Sequence, residues 1–317
     1  MKAGAWIDSI LASHSSKGRG SIAASLPTRS VETPVGLVRV YDSRTHKPTV
    51  VLVPDGPNVI EHYSRLVELL APHLRVVCFD MPGFGHSLPS RSYEHSLDQG
   101  AGAVLGVLDA LHIESTALAF SCANGFYALR AAQIAPERIS CLVLSQTPSL
   151  GAMQQWVDRI IPKPLTIPGV GQVAAWLFRK KVAKSWYRTA LPKTTLARPF
   201  QHIALQALAD GACFCLAGVV QGLCRESEAL SDVRAPVTVV WGTMDRSHKL
   251  TDPHSLCNST PHAEVVRFED CGHFPDVEQP ERYAALLLER VLQTSGSNPY
   301  GAGAELGLPS LFPQASP

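Results

Sequence analysis

A repeated alternation constrains this chain more than any single residue does. Short, unbroken apolar runs alternate with stretches of helical spacing. The runs are TVVLVP (49–54), RVVCFD (75–80), TALAF (116–120), ISCLVLS (139–145), PVTVVWG (236–242) and AEVVRF (263–268). Helical spacing fills 60–70, 96–111 and 125–135, and ERYAALLLERVLQ (281–293) forms a strongly periodic closing helix. A strand with one wet face alternates apolar and polar residues; these runs do not. Both faces of each strand are therefore buried, which predicts an α/β fold with a mainly parallel central sheet covered by helices on both sides. SVETPVGLVRVYDS (30–43) predicts two further strands about a Pro-Val-Gly turn.

The alternation breaks between 148 and 230, where helical pieces punctuated by proline replace it. The predicted organisation is a core over 30–147 and 231–294 with a helical lid inserted at 148–230. The Ser-, Gly- and Ala-rich residues 1–29 are expected to form a loosely ordered arm, and the Gly-, Pro- and Ser-rich residues 295–317 a flexible tail. No internal repeat is present.

A formal net charge of +1 gives no nucleic-acid-binding surface and calls for no acidic partner. No apolar run is long enough to span a membrane. The N-terminus lacks a continuous apolar segment and a small-residue cleavage site, so it is a poor secretion signal. Eight cysteines lie without a regular framework, several in expected strands or helices. That pattern suits a reducing, cytoplasmic setting. The triplet Asn258-Ser259-Thr260 then carries no glycosylation meaning.

Ligands of parallel sheets bind beyond the carboxyl ends of the strands. Those ends read Pro54-Asp55-Gly56-Pro57-Asn58, then Asp80-Met-Pro-Gly-Phe-Gly-His-Ser87, then Ser121-Cys122, then Gly242-Thr-Met-Asp245, and last Asp270-Cys-Gly-His273-Phe-Pro. The order gives a candidate nucleophile, an acid and a histidine. An imidazole that accepts the proton of a hydroxyl or thiol, held in the right tautomer by a carboxylate, activates that nucleophile.

With DMPGFGHS (80–87), the strand–turn–helix at 116–130, WGTMD (241–245) and CGHFPDVEQPERY (271–283) in this order, the chain resembles an α/β-hydrolase-fold protein with a helical lid. The resemblance covers most of residues 30–294. It implies His273 as the catalytic histidine and Asp245 as its acid, with Asp252 the nearby rival. Some members carry the acid after the preceding strand; here that position reads Ser145-Gln146-Thr147, without a carboxylate.

Two criteria divide over the nucleophile. The tight turn that presents it needs small neighbours two residues to either side. Ser121 has Ala119 and Ala123 there, whereas Cys122 has Phe120 and Asn124. Register points the other way. The family's usual spacing to the helical Ala128-Leu129 pair, and the spacing from Leu111 and Ile113 to Leu118-Ala119, are both met without a gap by Cys122. One inserted residue turns a helix by about 100°, so register is hard to shift. Cys122 is the expected nucleophile and Ser121 the alternative. His273 and the helix N-terminus are expected to lower the Cys122 pKa.

The resemblance also implies two backbone donors for the oxyanion of a tetrahedral intermediate. One is the N–H of Ala123. The other usually follows a His-Gly pair, here Asp55-Gly56, and falls on Pro57, which has no N–H. Asn58 is the expected substitute. Asp55 adds a negative charge beside the site. Dehalogenases and epoxide hydrolases of this fold use an aspartate nucleophile, which neither 121 nor 122 supplies.

The lid's aromatic and aliphatic residues predict an apolar pocket between lid and core. The basic run at 179–181 reads as a solvated helix face. Gly169-Val-Gly171 follows no strand and is not a dinucleotide loop. Cys213 and Cys215 point apart on a helix, so with Cys224 they make no zinc set, and neither metal nor cofactor is expected.

The function expected is cleavage or transfer of an acyl group from a small hydrophobic ester or thioester, free or carried on CoA or a carrier, through Cys122. The alternatives are a lyase, isomerase or cyclase using His273 as general base or acid, and a ligand-binding protein without turnover.

Overall fold

The computed structural model describes residues 3–16, 26–227, 230–294 and 296. In chain order the elements are α1 (Ala3–Ser16), β1 (Thr28–Thr33), β2 (Gly36–Asp42), β3 (Thr49–Val53), α2 (Ser64–Leu70), β4 (Arg75–Phe79), β5 (Phe84–Gly85), β6 (Leu88–Pro89), α3 (Leu97–Ala110), β7 (Thr116–Ser121) and α4 (Asn124–Ile134). They continue as β8 (Ile139–Ser145), α5 (Leu150–Ile160), α6 (Val170–Ala190), α7 (Arg198–Ala209), β9 (Cys213–Phe214), α8 (Leu216–Arg225), β10 (Val237–Gly242), β11 (Glu264–Phe268), α9 (Pro275–Glu278) and α10 (Pro280–Thr294).

The sheet order is β1-β2-β4-β3-β7-β8-β10-β11, with β6 paired to β2. Every neighbouring pair from β4 to β11 is parallel, and β2 runs antiparallel to β1, β4 and β6. The unbroken apolar runs thus lie inside the parallel part, as their composition demands. One core packs α3 and α4 against one face of the sheet, through residues such as Val51, Leu118, Phe120, Val104 and Leu129. A second packs α2 and α10 against the other, through Leu52, Val76, Ala119, Leu66 and Leu287. Ser96 caps α3, its Oγ accepting from Gln99 N at 3.3 Å.

Two expectations fail. The sequence predicts a loosely ordered arm over 1–29, yet Ala3–Ser16 is a helix, and residues 1–2 and 17–25 lie outside the described residues. Its buried side consists of Gly4, Ala5, Asp8, Ser9 and Ala12, while Trp6 and Ile10 face outward. A stripe of small and polar residues gives no apolar period, so the helix left no trace in the hydrophobic pattern. The stretch 148–230 was read as purely helical. Four helices, α5 to α8, do lie between β8 and β10, but β9 also pairs antiparallel with β5, matching Phe214 to Phe84. A two-residue strand is too short to show as a run. The expected tail lies outside the described residues except for Gly296. No helix among the described residues is long and apolar enough to cross a membrane. All eight cysteines are free.

Candidate active site

The turn between β7 and α4 settles where the chain bends. Cys122 has φ +54°, the left-handed region that a non-glycine residue enters only under constraint. Its backbone is held on both sides: Cys122 N donates to Ser145 O at 2.7 Å, and Thr147 Oγ1 donates to Cys122 O at 2.9 Å. Gly125 permits this, since a Cβ there would lie 2.3 Å from Thr147 Oγ1. Ser121 is the last residue of β7 and points elsewhere. Its Oγ donates to Asp276 Oδ2 at 2.5 Å, and Tyr63 OH donates to the same oxygen.

The two residues that made Cys122 look too crowded have places of their own. The Phe120 ring meets Phe79 edge-to-face at 6.1 Å. Asn124 Nδ2 donates to Pro54 O at 3.0 Å, tying the turn to the end of β3.

Asp245 and His273 are brought together. His273 Nδ1 lies 2.6 Å from Asp245 Oδ2. The close approach depends on Gly242 at the end of β10, where a Cβ would fall 1.8 Å from Gly272 O. Asp245 is fully engaged: Oδ1 accepts from Ser247 N at 2.8 Å and Ser247 Oγ at 2.7 Å, and Oδ2 also accepts from Gln146 Nε2 at 2.6 Å. Gln146 thus stands just after β8, where the resemblance places the acid in some members of the fold, and braces the carboxylate from the strand beside β10. Asp252 takes no part in this network; its Oδ1 caps His254 N at 2.9 Å.

The other edge of His273 faces Asp55. Nε2 lies 3.3 Å from Asp55 Oδ2, within ion-pair reach but without hydrogen-bond alignment. The imidazole therefore sits between two carboxylates and is itself completely buried. Trp186 covers it edge-on at 5.1 Å, Phe274 at 5.0 Å, and His248 stacks on it at 5.4 Å.

These surroundings set the charges. Burial works against protonating His273, but Asp245, Cys122 and Asp55 outweigh it and hold its pKa well above the ordinary value. Burial also opposes ionisation of Asp245, yet His273 holds that carboxylate far below its usual range. Burial raises Asp55 despite the relief His273 gives. The Cys122 thiol is pushed up to about 11, first by burial and then by the Asp55 charge, with His273 offsetting only part. The expected lowering of this thiol fails for that reason: helix and histidine are present, but burial and an extra anion win.

Above the site lies a cavity of about 300 Å³. Asp55, Cys122 and Asn124 give it a polar end, with Pro57 beside them, and Met153, Trp156, Leu165, Val182, Trp186 and Val219 are among its apolar walls. Among the described residues, Asp55 is the one ionisable carboxylate in the lining, and no Lys or Arg contributes. His273 does not reach the cavity itself. Ala123 lines it at the start of α4. Asn58 does not supply the missing donor. Its N–H goes to Asp55 O at 2.8 Å, its Oδ1 accepts from Tyr187 OH at 2.6 Å, and it lies outside the lining.

Two residues of the site escaped the sequence reading. His248 stacks between Trp156, at 5.1 Å, and His273, and burial lowers its pKa to about 3. It follows Asp245 by one short turn, which was the available signal. One ligand-type atom each from Cys122, His248 and His273 lies within 4.8 Å of the others. The second is Asp276, buried behind Ser121 and within the 271–283 motif.

A parallel sheet with a cysteine-bearing turn, an Asp–His pair at the next strand ends and an apolar cavity above them defines an α/β hydrolytic enzyme. A model of the alpha/beta hydrolase family matches residues 50–286, and the chain belongs to that family. It is 25% identical over 279 residues, 85% of this chain and 92% of the relative, to 2-hydroxymuconate semialdehyde hydrolase of Pseudomonas sp. (strain CF600). Over a shorter stretch of 128 residues, 38% of this chain and 48% of the relative, it is 34% identical to zearalenone hydrolase of Bionectria ochroleuca. Among solved structures, epoxide hydrolase A from Mycobacterium thermoresistibile aligns with a TM-score of 0.70 at 16% identity, over 83% of this chain and 97% of that one. The enol-lactonase from Burkholderia xenovorans LB400 aligns with a TM-score of 0.63 at 18% identity, over 83% and 99%. At these identities the structural likeness carries the fold alone.

Proposed function

We propose that this enzyme hydrolyses a small, neutral, hydrophobic ester, lactone or thioester through an acyl-cysteine at Cys122. The observation that carries this reading is the position of Cys122: strained at φ +54°, at the polar end of an apolar cavity, beside Asp55 and the His273–Asp245 pair. The relatives named for dienedioate and semialdehyde substrates widen the choice of scissile bond. The lining narrows it, because a dicarboxylate entering beside Asp55 would find no Lys or Arg in the cavity wall.

The helices α5 to α8 act as the lid. Substrate binding expels water, and Cys122 passes its proton to the Asp55–His273 pair. The thiolate forms a C–S bond to the carbonyl carbon, and the oxyanion takes the Ala123 N–H at the head of α4. With no N–H on Pro57, the proton held on Asp55 serves as the second donor. Collapse breaks the bond to the leaving oxygen or sulfur, which leaves with that proton. Water then gives a proton to the same pair and attacks the acyl-cysteine; the carboxylic acid departs and the thiol is restored. Asp245 orients His273 and holds its positive charge, with Gln146 and Ser247 fixing Asp245.

Intact-mass spectrometry with aryl esters, lactones and acyl thioesters tests the reading. An acyl adduct is expected in the wild type and in Ser121→Ala and not in Cys122→Ala. An adduct lost in Ser121→Ala instead refutes the assignment. Turnover without any adduct on rapid quench overturns the acyl-enzyme. It leaves Asp55 and His273 as an acid–base pair for lyase or isomerase chemistry, consistent with Pro57 in the oxyanion hole.

A further inference from the structure

A second group of donors lies apart from this cavity. Asp8 comes from α1, His95 from the turn ahead of α3, and Cys215 from the residue before α8. One ligand-type atom of each lies within 4.8 Å of the others, and all three residues are buried. His95 is 2% exposed, and its Nε2 has no hydrogen-bond partner among the described residues. His95 holds φ +56°, so the backbone is bent to bring this ring inward. The carboxylate is thinly served as well. Gln172 Nε2 donates to Asp8 Oδ2 at a long 3.4 Å, the Cys215 thiol adds a second contact, and no ion pair of Asp8 appears among the described residues. A buried imidazole nitrogen and a buried carboxyl left this way are costly.

Backbone packs closely against these donors at two glycines. At Gly218 a Cβ would lie 2.6 Å from Asp8 Oδ2 and 2.7 Å from His95 Nε2. At Gly83, with φ +91°, it would lie 3.1 Å from Cys215 Sγ. Only glycine at these positions lets the backbone approach the donor atoms this closely. A cavity of about 230 Å³ adjoins the group, with Ala3, Gly4, Tyr93 and Gln221 in its lining.

We propose that Asp8, His95 and Cys215 bind one thiophilic divalent cation of the zinc type, which clamps α1 to α8 and to the turn ahead of α3. One oxygen, one nitrogen and one sulfur donor suit Zn²⁺ and disfavour Mg²⁺ or Ca²⁺. Tetrahedral zinc needs donor separations of about 3.3–3.8 Å. From separations within 4.8 Å the three side chains reach that by closing by at most about 1.0–1.5 Å, leaving a fourth position for water on the cavity side. The spacing of Cys213 and Cys215 hid this set, because its members come from three distant segments.

The test uses the full chain carrying Cys122→Ala, which dismantles the other thiol–imidazole group. The chelator-stripped protein is titrated with Co²⁺ and then Zn²⁺. One equivalent of Co²⁺ should give a thiolate-to-cobalt absorption band and tetrahedral visible bands. Zn²⁺ should displace it and raise the melting temperature. Cys215→Ser should abolish the thiolate band, and His95→Ala should weaken binding about tenfold or more. Absence of the band in the Cys122→Ala chain overturns the site without a further variant, and so does a band that survives Cys215→Ser. If Cys215→Ser does not fold, the near-isosteric Asp8→Asn replaces it; undiminished binding there refutes the proposal.

Discussion

Asp55→Asn should move two properties of the site in opposite directions. The Cys122 thiol has an ordinary value of 9.0 and stands at about 11. At pH 8 that leaves about one thiolate per thousand molecules, against about one in ten at the ordinary value. Removing every cause of the rise would therefore raise the thiolate fraction about 100-fold. The substitution leaves burial, the larger cause, in place and removes the second, the Asp55 charge. The expected fall is about one pKa unit, or ~1.4 kcal/mol, giving about tenfold faster alkylation by iodoacetamide at pH 8. Loss of Asp55 also takes one anion from His273, but Asp245 is the stronger support of that imidazolium and remains. Turnover should go the other way. A carboxamide carries no proton between Cys122 and the leaving group, and loss of a positioned acid–base group costs on the order of 100-fold or more in kcat. Alkylation rates across pH 7–10, mapped to the Cys122 peptide, and kcat on the best aryl ester read both effects. Alkylation that is unchanged or slower would refute the electrostatic account, and an unchanged kcat would refute the relay.

Asp245→Asn should lower kcat on the order of 100-fold or more, because it removes the charge that holds His273 oriented and protonated, with KM little changed, in steady-state assays. The same residue sets acid stability. Its folded pKa lies below the ordinary 3.8, so its contribution is complete above about pH 4 and is lost as pH falls through the folded value. Melting temperatures should fall more steeply in acid for the wild type than for Asp245→Asn. Ser121→Ala should keep turnover within about threefold yet cost about 1–3 kcal/mol in urea unfolding, because buried Asp276 loses a donor. Gln146→Leu should lower both stability and kcat, since a buried charged carboxylate loses its brace; a change confined to KM would contradict that role.

The strands and their parallel arrangement were legible because burial on both faces leaves unbroken apolar runs. The helix α1 was not, because its inner face is built from Gly4, Ala5 and Ala12. The choice of Cys122 over Ser121 as the residue at the bend could be read from helix register. The steric objection misjudged it, since no linear pattern reveals that Phe120 turns toward Phe79 or that Asn124 reaches Pro54 O. Asp245 and His273 were visible as strand-end motifs. The facing of Asp55 onto His273 was not, nor were His248 and Gln146, because each depends on loops from separate strands meeting in space. The sign of the thiol's shift failed for the same reason, as burial is a property of the assembled structure.

The high pKa of Cys122 has a consequence beyond the reaction. Peroxide and other oxidants attack thiolates, and at pH 7 a thiol at about 11 offers about one thiolate in ten thousand molecules. The resting enzyme therefore carries its sulfur in a form nearly inert to oxidative stress. Cysteine enzymes that keep a standing thiolate trade this durability for speed. On the proposed mechanism the reactive form appears only when an occupant of the cavity draws the proton onto Asp55 and His273, and the enzyme should outlast such enzymes in an oxidising burst while its cavity is empty.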